Sequence, residues 1–193
     1  MIQFRHGFYA DVRTEDRSRT TITYKSGALE EMKTRVERRA FIRVYDGKMW
    51  YYSSVTDLAH LQKTLDGLYD AATPNADIQN DPVVRRFERN RDTLLSFADS
   101  SVRDIPSKDK QALLLSYLPL LSEDSCITMP RGTYLDRNSL FRFRSSLGAD
   151  ITYDYQTCGL SFACDMTEGE KKFSGHWQKG ATRFDELKGL DDE

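Results

Sequence analysis

The sequence predicts an α+β protein with two antiparallel sheets and flanking helices. Two apolar runs flank Asp46-Gly47, a dipeptide that favours a tight hairpin because it tolerates the positive φ angles of such turns. After Ser54, leucines recur at the spacing of one helix face. From residue 125 to residue 179, apolar and polar side chains alternate again, as in half-buried strands.

The hairpin is predicted to pair residues 40–45 with residues 49–52. Ser54 precedes Asp57 in an arrangement like a capping box, and a helix is predicted from residue 56 to residue 72. Its apolar face should lie on the sheet, and that face consists of Leu58, Leu61, Leu65, Leu68 and Ala72.

Three further strands are predicted before the hairpin. Residues 8–13 and 19–25 alternate, and Ser26-Gly27 supplies the next turn. Residues 28–36 fit either a strand or a short helix. With a strand there, residues 8–54 form a five-stranded antiparallel meander, and the helix covers its apolar face.

The second half of the chain opens with a predicted linker rich in turn formers. Asp81 followed by proline predicts the start of a helix toward Leu95. Ser107 starts a leucine-dense helix, which Pro119 should end or kink because proline lacks a backbone donor. Five strands follow, separated by predicted turns at residues 136–138, 147–148, 158–159 and 168–170.

These patterns predict the following domain organisation. The N-terminal meander and its helix occupy residues 1–73, the linker residues 74–82, and the later helices with a second antiparallel sheet residues 83–180. Residues 181–193 are expected to begin a helix that is cut short, with Phe184, Leu187 and Leu190 at helical spacing.

Composition and charge exclude several classes of protein. The 193 residues are 39% hydrophobic and carry a formal net charge of -2, which gives no basic footprint for nucleic acid. No apolar run is long enough for a membrane helix, and the N-terminus does not look like a signal peptide. Cys126, Cys158 and Cys164 form no CxxC pair and fit reduced thiols. We expect a cytoplasmic protein with no nucleic-acid or membrane partner.

No catalytic or metal-binding residue is predicted in this chain. None of His6, His60 and His176 belongs to an HExxH motif or has metal-ligand spacing to a cysteine or carboxylate. The sequence also lacks the GxSxG, GxGxxG and P-loop motifs. His60 is expected in solvent and His176 as an ordinary half-buried strand residue.

Four segments carry a family resemblance: FYADVRTED, a strand that ends in SGALEE, the hairpin AFIRVYDGKMWYYSS and the helix TDLAHLQKTLDGLYDAA. Together they resemble the N-terminal domain of the TldD/PmbA family, once described as modulators of DNA gyrase. Tyr51-Tyr52 replaces the family's usual Phe-Ala. Ala40-Phe41 also differs from the family pattern, which normally has a glycine nearby. FRFRSSLG resembles the family's N-S-x-G element, with serine for asparagine. The matching residues are Tyr9, Asp11, Val12, Arg13, Gly27, Arg43, Val44, Gly47, Ser53 and Asp57.

The resemblance implies a zinc metallopeptidase of the cytoplasm that forms homodimers or heterodimers and cleaves unfolded peptides. The family's HExxxH motif and distant cysteine lie in a C-terminal domain, and nothing in this chain matches them. The resemblance therefore implies an N-terminal region, truncated relative to the family and inactive alone. It implies zinc for the missing domain and no cofactor in this chain.

Two functions of different classes remain compatible with the sequence. The first is a non-catalytic, substrate-channel and dimerisation region of a TldD/PmbA-like peptidase, with a family member and an unfolded peptide as partners. The second is a stand-alone module that binds a partner protein through its sheet edges. An independent hydrolase has the least support, because the residues it needs are missing.

Strand addition would let the chain hold a peptide without any particular side-chain motif, since backbone groups provide the hydrogen bonds. The charge of the early strands should protect their edges. The later run LSFACDMT is more apolar. The predicted peptide-binding edge consists of Leu160, Ser161, Phe162, Ala163 and Cys164.

Overall fold

A computed structural model describes residues 2–122 and 125–190. The strands are β1 (Tyr9–Lys25), β2 (Ala28–Tyr45), β3 (Trp50–Val55), β4 (Arg91–Leu94), β5 (Ile127–Ser145), β6 (Asp150–Glu168) and β7 (Lys171–Ala181). The helices are α1 (Leu61–Ala71) and α2 (Ser107–Tyr117). Short 3-10 turns occupy Leu58–His60, Ile78–Asn80, Val84–Arg86, Leu118–Ser122 and Phe184–Leu187.

All seven strands of the described residues belong to one sheet, so the predicted second sheet is not present there. The strand order is β3-β2-β1-β5-β6-β4, and β7 also pairs with β6. The early and late strands share one sheet because β1 is hydrogen-bonded to β5. β3 and β7 run antiparallel to their neighbours, whereas β4 runs parallel to β6. The α+β class is confirmed.

Residues 8–54 contain three strands instead of the five of the predicted meander. β1 joins the two early runs, and β2 joins the run after Gly27 to the first strand of the hairpin. The short-helix alternative for residues 28–36 is therefore wrong. Ser26 and Gly27 form the predicted turn between β1 and β2, with φ angles of 48° and 78°.

The central hairpin is confirmed, although its loop is longer than predicted. β2 and β3 are connected by residues 46–49. Asp46 orders this loop, because its Oδ1 accepts hydrogen bonds from the N–H groups of Lys48 and Met49, each at 2.8 Å. Gly47 adopts a φ of 97°, which few other residues tolerate.

The described residues group into two compact units, each assembled from separate chain segments. Unit 1 contains residues 2–17, 37–96 and 139–154. Unit 2 contains the remaining described residues. The domain boundaries given above stay a prediction.

In unit 1, α1 buries the predicted apolar face against strand residues. Leu65 is 0% exposed and Leu61 is 8% exposed. Burying such side chains favours folding by about 1.5 to 3 kcal/mol each. The buried cluster consists of Phe8, Ala10, Val12, Ala40, Ile42, Val44, Leu61, Leu65 and Tyr69.

Two helix starts differ from prediction in unit 1. Asp57, rather than Ser54, caps the 3-10 turn Leu58–His60 that leads into α1, because its carboxylate accepts the N–H of Ala59 at 3.0 Å. The long helix predicted after Asp81 is wrong. One 3-10 turn, Val84–Arg86, is followed by β4, whose backbone pairs with β6 instead of continuing a helix.

In unit 2, α2 and the 3-10 turn after it are consistent with the predicted leucine-dense helix. The α-helix ends at Tyr117, and Pro119 lies in the turn. The buried cluster consists of Ile22, Tyr24, Val102, Leu114, Tyr117, Tyr134, Cys158, Leu160, Phe162, Phe184 and Leu187.

Two of the four predicted late turns are confirmed. Gly148 and Gly169 adopt positive φ angles of 91° and 60° between consecutive strands. The turns predicted at residues 136–138 and 158–159 are wrong, because both positions lie inside 19-residue strands, β5 and β6.

The last helical segment of the described chain is a single 3-10 turn, Phe184–Leu187. Phe184 and Leu187 both join the buried cluster of unit 2. The end of the predicted helix, residues 191–193, lies outside the described residues. Among the helices of the described chain, none has the length and apolar content that crossing a membrane requires.

Candidate functional site

Two residues of the family-like pattern, Asp11 on β1 and Arg43 on β2, form an ion pair in unit 1. Arg43 Nε donates to the two Asp11 oxygens at 3.0 and 3.2 Å, and Arg43 Nη2 donates to Oδ2 at 2.7 Å. The side chain of Asp11 is 3% exposed and that of Arg43 is 37% exposed. Hydrogen bonding to Asp11 raises the pKa of Arg43, so the guanidinium stays charged while part of it faces solvent.

Aromatic rings surround this ion pair. The Arg43 guanidinium lies 4.8 Å from the centre of the Trp50 ring. Tyr9 meets Trp50 edge-on at 5.9 Å and stacks on Phe87 at 4.5 Å. Burial raises the pKa of Tyr9, and the charge of Asp11 adds to this effect. Tyr9 and Arg43 therefore keep their protons at neutral pH, and the cluster suits binding better than proton transfer.

A second carboxylate of β1, Glu15, is held by two partners in the same unit. Arg39 Nε donates to Glu15 Oε2 at 2.6 Å. Ser139 on β5 donates to Glu15 Oε1 at 2.9 Å. Glu15 and Ser139 are both buried. The carboxylates of Asp11 and Glu15 are thus both engaged by side chains of neighbouring strands.

Two family-like segments that lie far apart in the sequence meet in unit 1. The N–H of Ala10, within YADVR, donates to Ser146 Oγ at 3.0 Å. The N–H of Ser146, within SSLG, donates to the Ala10 carbonyl at 2.8 Å. Ser145 closes its own turn through the N–H of Ala149, at 3.3 Å. Ser146 therefore joins β1 to the end of β5, whereas Ser145, which stands in place of the family's asparagine, closes the turn.

The predicted peptide-binding stretch, Leu160, Ser161, Phe162, Ala163 and Cys164, does not form a sheet edge. Leu160 pairs with Lys179 of β7, and Cys164 pairs with Gly175. On its other side β6 neighbours β5. An added peptide strand would have to displace a neighbour, so the peptide-binding role of this stretch stays an untested prediction. The sequence pattern indicates that LSFACDMT and KKFSGHWQK are strands, but it does not show that they pair with each other. For that reason it could not show that Leu160 to Cys164 lie inside the sheet.

The described residues do not fit the zinc ion that the resemblance implies. Among residues 2–122 and 125–190, no three His, Cys, Asp or Glu side chains come together as a metal would require. His60 is exposed and lies 2.9 Å from the carboxylate of Asp57. His176 Nε2 lies 3.3 Å from Ser161 Oγ. Burial raises the pKa of Cys158 to about 12, so its thiol stays protonated at neutral pH.

Unit 2 contains a buried ionic network that the sequence did not predict. Lys110 Nζ on α2 lies 2.5 Å from Asp136 Oδ2 on β5, and both side chains are at most 2% exposed. The N–H of Thr20 donates to Asp136 Oδ1 at 2.9 Å, and Tyr134 donates its hydroxyl at 3.0 Å. Burial raises the pKa of Tyr134. The polar groups are therefore paired inside the core, which is how a charged pair can be tolerated there.

An open groove of about 1130 Å³ also lies in unit 2, along α2 and the turn Phe184–Leu187. Arg183 and Ser100 both line the groove, and Arg183 Nη1 donates to Ser100 Oγ at 2.8 Å. Sequence reasoning missed this groove because its walls come from distant segments. Its acidic lining residues are Asp99, Asp104, Asp109, Asp185 and Glu186.

A family comparison decides which region the Asp11–Arg43 cluster belongs to. Residues 10–72 match the model of "PmbA/TldA metallopeptidase domain 1". Residues 10–72 form a PmbA/TldD domain 1. The resemblance read from the sequence is thereby confirmed for this region. Asp11, Arg43, Gly47 and Asp57 all lie inside the PmbA/TldD domain 1.

Solved structures extend the likeness to the fold of nearly the whole chain. A candidate modulator of DNA gyrase from Bacteroides thetaiotaomicron superposes with a TM-score of 0.70 at 17% identity, over 92% of this chain and 41% of its own. A second candidate modulator, from Thermotoga maritima, gives 0.70 at 15% identity, over 93% and 40%. TldE from Thermococcus kodakarensis gives 0.66 at 8% identity, over 90% and 40%. No curated protein sequence matches the chain significantly.

The chain therefore spans about 40% of the length of these structures. It corresponds to the N-terminal region of TldD/PmbA proteins. Within the charged and aromatic cluster, Asp11, Arg43 and Trp50 lie in the matched residues 10–72, whereas Tyr9 and Phe87 lie outside them.

Proposed function

We propose that this chain is the non-catalytic, substrate-channel and dimerisation region of a TldD/PmbA-like zinc metallopeptidase that acts on unfolded peptides in the cytoplasm. The match of residues 10–72 to a metallopeptidase first domain carries the proposal. The HExxxH motif and the zinc would belong to a separate catalytic region. This chain would hold the substrate and the partner subunit.

Substrate would be held by strand addition at an outer edge of the sheet. β7 pairs with β6 on one side and has no second neighbour among the described strands. Its outward backbone N–H and C=O groups can therefore pair with an extended peptide. Lys171 and Lys172 at its start are exposed and favour acidic peptide side chains nearby. β7 itself pairs with the stretch from Leu160 to Cys164, so the proposed peptide edge lies one strand away from that stretch.

Hydrogen exchange tests this proposal directly. An unstructured peptide with acidic side chains should slow exchange of outward amides in β7, because they become paired. A matched peptide with proline at every second position should give no slowing, since proline has no N–H to donate. Equal slowing by both peptides, or slowing confined to the helices, would contradict strand addition.

The stand-alone interaction module makes a different prediction in the same experiment. Under that function, the slowing should require one folded partner protein and should not occur with unfolded peptides. Testing a panel of peptides of equal length and charge but scrambled sequence separates the two functions. Binding that tolerates scrambling favours the peptidase role, because strand addition depends mainly on the backbone.

A further inference from the structure

The first half of β2 is an open edge within unit 2. Each residue from Ala28 to Val36 is exposed. β2 neighbours β1 on one side, and the pairing of β2 with β3 on the other side begins only at Ala40. Nine consecutive residues, 28–36, therefore have no strand beside their outer edge among the described residues.

This edge exposes large apolar side chains between its charged residues. Leu29, Met32 and Val36 are 48%, 42% and 55% exposed. Proteins usually protect such edges with charged side chains, proline or bulges. Here the charged residues Glu31 and Lys33 have opposite signs and lie two positions apart on one face of the strand.

We infer that a second copy of this chain pairs antiparallel with this edge, about a two-fold axis that passes through Met32. Two copies then share one continuous sheet across the edge, and the interface is the same patch on both subunits. The inference rests on the dimerisation role proposed above and specifies where it occurs. The resulting pairs are Ala28 with Val36, Leu29 with Arg35, Glu30 with Thr34, Glu31 with Lys33, and Met32 with its own copy.

Charge complementarity selects this register. With the axis at Met32, each Glu31 lies opposite a Lys33 and no like charges are opposed. Moving the axis to Glu31 or Lys33 places that residue opposite its own copy. An axis at Glu30 does the same, and an axis at Thr34 places Lys33 opposite Arg35.

The side chains of the selected register also fit each other in chemistry. The two Met32 side chains meet at the axis, where their flexible thioethers can adapt to one another. The aliphatic part of Arg35 can cover Leu29 while its guanidinium remains in water. On the existing sheet, Thr20 Oγ1 lies 3.2 Å from Thr34 Oγ1, which fixes Thr34 in the strand without using its outer edge.

Charge reversal gives the first test, measured as the dimer dissociation constant of the full chain by analytical ultracentrifugation at low salt. Glu31→Lys and Lys33→Glu should each weaken the dimer by at least about tenfold, because each opposes two pairs of like charges. The double variant E31K/K33E should restore most of the affinity, since the pairs are merely exchanged. Lys63→Glu, an exposed change on α1, is the matched control and should leave the dimer unchanged.

Cross-linking gives the second test and reads the register itself. Met32→Cys should form an intermolecular disulfide under mild oxidation, because opposed residues in an antiparallel pair bring their Cβ atoms to about 4.5 to 5.5 Å. Thr34→Cys should not, since its two copies lie several residues apart in this register. The unchanged chain controls for cross-links through Cys126 and Cys164, which are partly exposed.

The outcomes separate the inference from the proposed function. A dimer that persists in K33E and gives no Met32→Cys cross-link would overturn this interface while leaving dimerisation in place. A chain that stays monomeric at every concentration, including with the catalytic region added, would overturn both. Restoration by the double variant together with the specific cross-link would support the interface.

Discussion

The two units both contain a buried carboxylate paired with a cation, but they enclose the pair to different extents. In unit 1, Arg43 leaves 37% of its side chain in solvent above a buried Asp11. In unit 2, neither Lys110 nor Asp136 exceeds 2% exposure. The first pair lies in the segment that matches the family model, whereas the second lies outside it.

This difference separates a pair suited to recognition from a pair suited to structure. A half-exposed guanidinium stacked on Trp50 can meet a ligand or partner without first breaking its ion pair. The enclosed lysine cannot reach solvent, and its removal would leave a buried charge. The comparison predicts that substitutions in unit 2 cost more stability than substitutions in the Asp11–Arg43 pair.

The largest effect is expected for Lys110→Met, which removes one member of the enclosed pair. We expect a loss of about 3 to 5 kcal/mol in the free energy of unfolding, because Asp136 stays buried without its counter-ion. Urea denaturation of the full chain measures this. The double variant K110M/D136L should recover part of the loss, and a loss below about 1 kcal/mol for K110M would contradict the enclosure.

The next effect is expected for Leu65→Ala in unit 1, which tests packing without charge. Leu65 is fully buried in the cluster around α1, so its truncation should cost about 2 to 5 kcal/mol. Lys63→Ala on the exposed face of the same helix is the control and should change stability little. A small loss for L65A in urea denaturation would mean that the helix does not depend on this face.

Much of this first region could be predicted from sequence because its signals are local. Asp46-Gly47 and the leucine spacing of α1 each depend on a few neighbouring residues, and both were confirmed. The charged run between residues 13 and 19 predicts a break between two early strands, whereas β1 continues through it. Its charges are satisfied across the sheet, as where Arg38 donates to Asp16 at 2.8 Å, so the strand continues through them.

The second region was harder to predict because its polar residues act over long distances. Asp136 and Asn138 read as turn formers, yet both are buried, and they bond to the distant side chains of Lys110 and Gln156 respectively. Their spacing with Tyr134 placed all three on one strand face, and this was the available signal. Gly159 read as a turn too, but a Cβ there would lie 2.8 Å from the carbonyl oxygen of Lys179.

A smaller effect is expected for Arg43→Met, which breaks the half-exposed pair. The loss should be about 1 to 3 kcal/mol, since Asp11 loses its hydrogen bonds but water can enter beside it. Arg43→Lys keeps the charge and should lose less. The comparison between the units fails if R43M destabilises the chain more than K110M does in the same denaturation series.

The smallest effect is expected for Arg142→Met, which breaks an exposed pair with Asp150. Hydrogen bonding to Arg142 lowers the pKa of Asp150. The stability that the Asp150–Arg142 pair contributes is therefore present above the unfolded pKa of Asp150, about 3.9, and it is lost as the pH falls through the lower folded pKa. Wild type and R142M should differ by less than about 1 kcal/mol at neutral pH and converge in acid. A difference that grows as the pH falls would contradict this.

We propose that this chain holds substrate and contributes no chemistry of its own. Cleavage of an unfolded peptide tests it most directly, with the chain alone, with a TldD/PmbA catalytic region alone, and with both, each in the presence of zinc. We predict no cleavage and no stoichiometric zinc for the chain alone, and a lower KM when it joins the catalytic region. Cleavage by the chain alone, or a KM that the chain does not change, would contradict the claim.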